Sequence, residues 1–144
     1  MLKRALSGMI VAGLVVVLAG CKTTPDASAP TSTLSTREAT RLAAQMQFQN
    51  PQIQATLGQG TSMQPLYTED TVIMIHPIDF ADLEAEMIVA YRNRQGQIVI
   101  HRLVRLELGG WVAQGINNPR EDRERVTPEN LLGVVYTVIY TEGM

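Results

Sequence analysis

Cysteine is nearly missing from this chain. Cys21 stands alone, so no disulfide can form within the chain, and a metal site built on several thiolates is excluded. Lysine is almost as scarce, with Lys3 and Lys22 the only two, so nothing beyond residue 22 offers an amine as a general base. Aromatic residues make up 5% of the chain and there is no excess of positive charge, which argues against a nucleic-acid surface. Long apolar runs are lacking too. The stretch from Ala5 to Leu18 falls short of the ~20 residues that a membrane-spanning helix usually needs. With two histidines, no His-Glu-x-x-His spacing and no phosphate-binding glycine loop, neither a metal nor a cofactor is expected. No internal repeat or heptad pattern is visible.

What is present begins with an export pattern. Lys3 and Arg4 precede the apolar stretch, small residues Ala19 and Gly20 follow it, and Cys21 comes next. Leu18-Ala19-Gly20-Cys21 resembles the lipobox of bacterial lipoproteins, which implies cleavage before Cys21 and attachment of lipid to its sulfur. The competing reading is an uncleaved anchor, and either one tethers the chain to a membrane surface. Loss of Lys3 and Arg4 leaves 10 basic against 14 acidic residues, a mildly acidic mature protein. Lys22 stands where inner-membrane retention usually shows Asp, so the resemblance implies the periplasmic face of the outer membrane in a two-membrane bacterium.

Residues 1–20 are therefore read as a signal peptide, 21–36 as a lipidated cysteine and flexible tether, and 37–144 as the folded domain. Between Lys22 and Leu34 the composition is Thr, Pro, Ser and Ala, too poor in large apolar residues to fold alone. Ser35 followed by Glu38 is a capping-box pattern, and Arg37 to Gln49 predicts a helix that Asn50-Pro51 ends. Short apolar runs bounded by turn residues then predict strands at 71–75, 87–92, 97–108, 111–114 and 132–141. Asn93-Arg94-Gln95-Gly96 and Gly109-Gly110 read as hairpin turns. Alternation along residues 98–107 puts His101 on the face opposite Ile100. A mostly antiparallel β domain with one N-terminal helix is expected.

The candidates for chemistry are few. A serine hydroxyl is a weak nucleophile until a neighbouring base takes its proton, and that base is normally His or a desolvated Lys. Lys22 lies in the tether, which leaves His76 and His101. His76 precedes Pro77 and reads as an extended strand-end residue with a structural role, a second-shell position being the alternative. Gly60-Thr61-Ser62-Met63-Gln64-Pro65 has the form of a tight loop that presents a hydroxyl, with Gly58 and Gly60 free to take unusual φ and Pro65 stiffening the exit. Met63 and Leu66 read as groove or core side chains.

Ser62-Met63-Gln64-Pro65 resembles the Ser-Met-x-Pro nucleophile box of the signal peptidase I family. The family's next element, Gly-Asp and a strand, has a counterpart in Glu69-Asp70 and Thr71-Val72-Ile73-Met74, with the glycine missing and the acid kept, and its Gly-Asp-Ile-Val-like element appears as Glu86-Met87-Ile88-Val89 without the Gly-Asp pair. Most bacterial members then carry a lysine. Ile98-Val99-Ile100-His101-Arg102-Leu103-Val104 is similar instead to the histidine segment of the endoplasmic-reticulum and archaeal type. Ala113 to Asp122 resembles the following Lys-Gly-Asp-Asn-Asn segment with its later Asp, Ile116 replacing the first aspartate and Asp122 matching the second. Asn130-Leu131-Leu132-Gly133-Val134-Val135 resembles the strand near the family's domain end.

The resemblance thus runs from about Gly60 to Val135. It implies a signal-peptidase/LexA-like coiled antiparallel β-sheet and a serine endopeptidase in which Ser62 is the nucleophile, His101 the base and Asp122 the residue that orients His101. The substrate it implies is an exported protein or peptide bound as an extended strand, with small side chains favoured near the cut. Asp122 alone reads as part of a solvated run of alternating charge. Because two acidic family positions are altered, the alternative is a non-cleaving envelope binding or assembly module of the same fold.

Overall fold

The computed structural model describes residue 30 and residues 32–142. The signal-peptide and lipidation readings, Cys21 included, lie outside the described residues, as does most of the tether. Among the described residues no helix is long and apolar enough to cross a membrane.

Helix α1 runs Thr36–Gln49, and its start is fixed as the capping box requires. The Ser35 side chain accepts from Glu38 N–H, and the Glu38 carboxylate accepts from Ser35 N–H at 3.0 Å. Ala39 and Ala43, one turn apart, are buried and let the helix lie close against Ile53, Val72 and Met74. Seven strands follow: β1 Gln54–Leu57, β2 Val72–His76, β3 Ile88–Arg92, β4 Ile98–Glu107, β5 Gly110–Gln114, β6 Arg125–Val126 and β7 Leu131–Ile139. They form one sheet in the order β1-β2-β7-β3-β4-β5-β6, with every neighbouring pair antiparallel. The mainly β architecture with a single N-terminal helix is as expected.

Both sheet faces are covered near the middle. Val89, Tyr91 and Leu103 pack with Leu83, Ala113 and Val126 on one side, while Ile73, Ile75 and Ala90 pack with Met63 and Tyr67 on the other. The second cluster matters most for the site, because Met63 and Tyr67 anchor the loop that carries Ser62. The hairpin turns at 93–96 and 109–110 carry positive φ at Gly96, Gly109 and Gly110.

Two strands went unforeseen. Gln54–Leu57 alternates too little to announce itself, with three of its four residues exposed, and Arg125–Val126 is only two residues long. The alternation expected along β4 also stops short of its end. His101 and Ile100 do face opposite ways, paired with Val89 and Ala90 respectively. Beyond Leu103 the register shifts, because Leu103 pairs with Ala113 but Arg105 pairs with Val112. Val104 is the extra residue, so Leu106, not Arg105, shares the Leu103 face; one inserted residue inverts every side chain that follows.

Candidate active site

The loop between β1 and β2 is shaped by what its glycines lack and what its apolar residues bury. Gly58 donates to Thr71 O at 2.8 Å, and a Cβ there would sit 2.1 Å from Thr68 O, so no other residue fits without moving backbone. Gly60 has φ +68°, in the left-handed region. Turn bonds from Gln64 N–H to Thr61 O and from Tyr67 N–H to Met63 O then coil the chain. Met63 and Tyr67 are sunk into the core while Ser62, between the turns, stays half-buried.

A second loop clasps the first. Asn117 N–H donates to Ser62 O at 2.8 Å, and Asn117 Nδ2 donates to Thr61 O at 2.9 Å. Gly115 lies so close that a Cβ would meet Ser62 O at 2.7 Å and Ser62 Cβ at 2.9 Å. Thr61, Ser62 and Met63 N–H groups donate to no acceptor among the described residues. These three donors belong to the residue that bears the hydroxyl and its two chain neighbours.

His101 comes from the other direction, from the middle of β4, and is 7% exposed. Its Nε2 lies 3.0 Å from Ser62 Oγ, and its Nδ1 lies 2.6 Å from Asp122 Oδ2. A carboxylate at Nδ1 makes that nitrogen the N–H donor of the neutral ring, which leaves the Nε2 lone pair to accept the Ser62 hydroxyl proton. Asp122 is held by its own N–H donating to Ala113 O at 2.8 Å, and Arg125 Nη1 donates to Asp122 O at 3.3 Å. Tyr91 O–H also donates to Asp122 Oδ2, at 2.7 Å. Burial, and then the hydrogen bond to Asp122, push the Tyr91 hydroxyl far above its ordinary pKa, so it keeps its proton and remains a donor.

The structure therefore brings all three expected residues into one hydrogen-bonded line, although Ser62, His101 and Asp122 are far apart in sequence. No family model, curated protein or solved structure matches the chain.

A cleft of about 610 Å³ opens beside the Ser62–His101 pair. Leu57, Gly58 and Gln59 form one wall and Gln97 to Ile100 another, with Met63, Tyr67 and Ile73 among its lining residues. Among the described residues its only ionisable side chains are His101 and Tyr67, whose hydroxyl is pushed up to about 12, first by burial and then by Tyr140. Both walls are strand edges. β1 pairs with β2 alone, and β5 pairs with β4 only from Arg102 onward. Because Asn93 N–H donates to Gln97 O, the alternation of the antiparallel ladder turns the peptide groups of Val99 and His101 toward β3. Ile98 and Ile100 present their N–H and C=O to the cleft.

His76 is elsewhere. It ends β2, its Nδ1 lies 2.8 Å from Pro77 O, and its ring tilts against Tyr136 at 5.8 Å. Among the described residues there is no group of three His, Cys, Asp or Glu side chains arranged to hold a metal. Sequence reasoning missed Tyr91 and the clasp by Gly115 and Asn117. The first had a signal, since period two along β3 puts Tyr91 on the face of Val89 and hence of His101; the clasp had none beyond its quoted motif.

Proposed function

We propose that this chain is a serine endopeptidase of the signal-peptidase type, tethered to a membrane by lipid on Cys21, that cuts an exported protein presented as an extended strand. The observation that carries the reading is the unbroken chain from Ser62 Oγ through the His101 ring to Asp122, 3.0 Å and 2.6 Å long at its two links. These are the distances at which a base takes a hydroxyl proton and a carboxylate fixes the ring that takes it. Ser62 Oγ attacks the scissile carbonyl carbon while His101 Nε2 accepts the hydroxyl proton, giving a tetrahedral oxyanion and an imidazolium. Collapse expels the amine, which leaves with the His101 proton, and an acyl ester remains on Ser62. Water then repeats the two steps, returning the acid product and free hydroxyl.

The oxyanion is assigned to the N–H groups of Ser62 and its loop neighbours, which have no competing protein acceptor among the described residues. Loss of one such donor commonly costs ~2.7–4 kcal/mol in the barrier. The peptide itself is assigned to the cleft, where strand addition between the edges of β1 and β4 supplies main-chain hydrogen bonds on two sides. A lining with no Asp, Glu, Lys or Arg among the described residues suits uncharged residues around the cut.

Glu86 stands where the resemblance has the glycine of Gly-Asp. Its φ is +72°, a conformation that favours glycine. The alternative reading, a non-cleaving binding module, draws on the missing Gly-Asp pair before Ile88 and on Ile116 in place of an aspartate; Ile116 is exposed and takes no part in the Ser62–His101–Asp122 line. Comparison of envelope protein termini in cells making wild type or Ser62→Ala protein separates the two. The peptidase reading expects at least one terminus that vanishes with Ser62 and with His101→Ala, and identical termini in all three would leave the binding module.

A further inference from the structure

Asp122 Oδ2 accepts two hydrogen bonds, and only one of them belongs to the triad. The other comes from Tyr91 on β3, a strand that takes no part in holding Ser62 or Asp122 by its backbone. Tyr91 is 2% exposed, and its neighbours Val89 and Leu103 leave its ring little room to turn. The ring is therefore a fixed post. From it the O–H reaches a carboxylate that sits on an irregular loop with no strand of its own to pin its side chain.

We propose that Tyr91 is a positioning residue of this site, whose hydroxyl holds the Asp122 carboxylate toward His101 and takes up part of its negative charge. The inference deepens the peptidase reading and rests on it. An oxygen that already accepts one strong hydrogen bond exerts a weaker pull on the second donor. With Tyr91 in place, the Asp122 carboxylate is aimed at His101 Nδ1 while its charge is shared between two donors. Without the phenol hydroxyl the carboxylate charge falls on His101 alone.

Other charges near the pair are few. Within the segment of Asp122 lie Arg120, Glu121, Arg123, Glu124 and Arg125; Glu121 is engaged by Arg105, Arg125 by Glu107, and Glu124 accepts from Arg94 N–H. Arg102, next to His101 on β4, faces the opposite side and pairs with Glu86. The Ser62 loop, residues 59–66, and the β5 residues beside Asp122 carry no charge.

The test is an NMR titration of the two histidine rings in the full chain, with Tyr91→Phe against wild type. His76 serves as the internal control. The expected result is a His101 midpoint raised by ~0.5–1 pH unit in Tyr91→Phe, with His76 unmoved. Asp122→Asn should abolish the difference, since the hydroxyl acts through that carboxylate. In cleavage assays the acid limb should move up by the same amount, with kcat down about tenfold and KM unchanged, the scale of one hydrogen bond to a charged group. A His101 midpoint that Tyr91→Phe leaves in place, or shifts equally in the Asp122→Asn background, overturns the proposal. Failure of the peptidase reading looks different: Ser62→Ala would leave every fragment unchanged, whatever the histidine titration shows.

Discussion

The two halves of β4 share a strand and differ in what lies along their outer edge. From Arg102 to Glu107 the edge is closed by β5, and the exposed side chains tie into surface ion pairs, Arg105 with Glu107 and Glu121, and Arg125 with Glu107. From Ile98 to His101 the edge is open, with a 610 Å³ cleft beside it and Ser62 at its end. The closed half is architecture. The open half is the one stretch of the central sheet where unpaired backbone meets a hydroxyl and an imidazole, and an unpaired edge that is neither charged nor covered is costly unless something binds it. His101 stands at the join of the two halves, at the last residue before pairing begins.

The largest effect expected is on the open side. Ser62→Ala and His101→Ala should each lower cleavage by on the order of 10⁴-fold or more, and the double variant should be little worse than either, because the pair acts as a unit. Thermal unfolding checks that the fold survives. Next comes the clasp: Gly115→Ala places a methyl against Ser62 O and Ser62 Cβ and should displace the nucleophile enough to cost ~10²-fold in kcat, with a smaller loss of stability. Normal kcat in that variant would mean that the second loop does not position the first.

Ile98→Pro distinguishes the two halves most directly. It deletes an N–H aimed at the cleft without breaking a ladder bond to β3, so it should raise KM about 2–10-fold and leave the unfolding midpoint nearly unchanged. A large loss of stability instead would show that the edge is paired within the protein. Glu86→Gly releases a left-handed φ held by a residue with a Cβ and should stabilise the fold by about 1 kcal/mol with cleavage unaltered, as judged by denaturant midpoints.

Smallest of all is the closed half. Hydrogen bonds from Arg105, and for Glu107 also from Arg125, hold the Glu107 and Glu121 carboxyls below their ordinary range. A carboxyl whose folded pKa is depressed contributes stability above its unfolded pKa and loses it as pH falls through the folded one. Arg105→Ala should therefore lower stability slightly at neutral pH and not at all in strong acid, and high salt should erase the difference, since these groups are solvent-exposed.

How much of this was legible in the residues follows from the same contrast. The helix was readable from Ser35 and Glu38, and the long strands from period two, because their burial is decided by local alternation. Val104 defeated that reading: a bulge is set by the partner strand, and nothing in Val104 itself announces it. β1 escaped because an exposed edge strand needs no apolar alternation. At the site, the scarcity of lysine narrowed the bases to His76 and His101, while Ser62, the choice of His101 and Asp122 rested on the resemblance in motif order, since the charged surroundings of Asp122 look like any solvated loop. Tyr91 was readable only as a buried strand residue. Its hydroxyl acquires a meaning from a loop 31 positions away, a long-range fact that no local pattern contains.

On the proposed reading, the Ser62 hydroxyl, activated by His101, breaks peptide bonds. The most direct measurement is to incubate the purified, full-length protein with a library of peptides drawn from exported proteins and to sequence the new ends by mass spectrometry. Cuts within uncharged, extended segments that disappear in Ser62→Ala and in His101→Ala are the expected result. New ends that persist in both variants, or none from a wild-type protein whose Ser62 and His101 remain hydrogen-bonded, would contradict it.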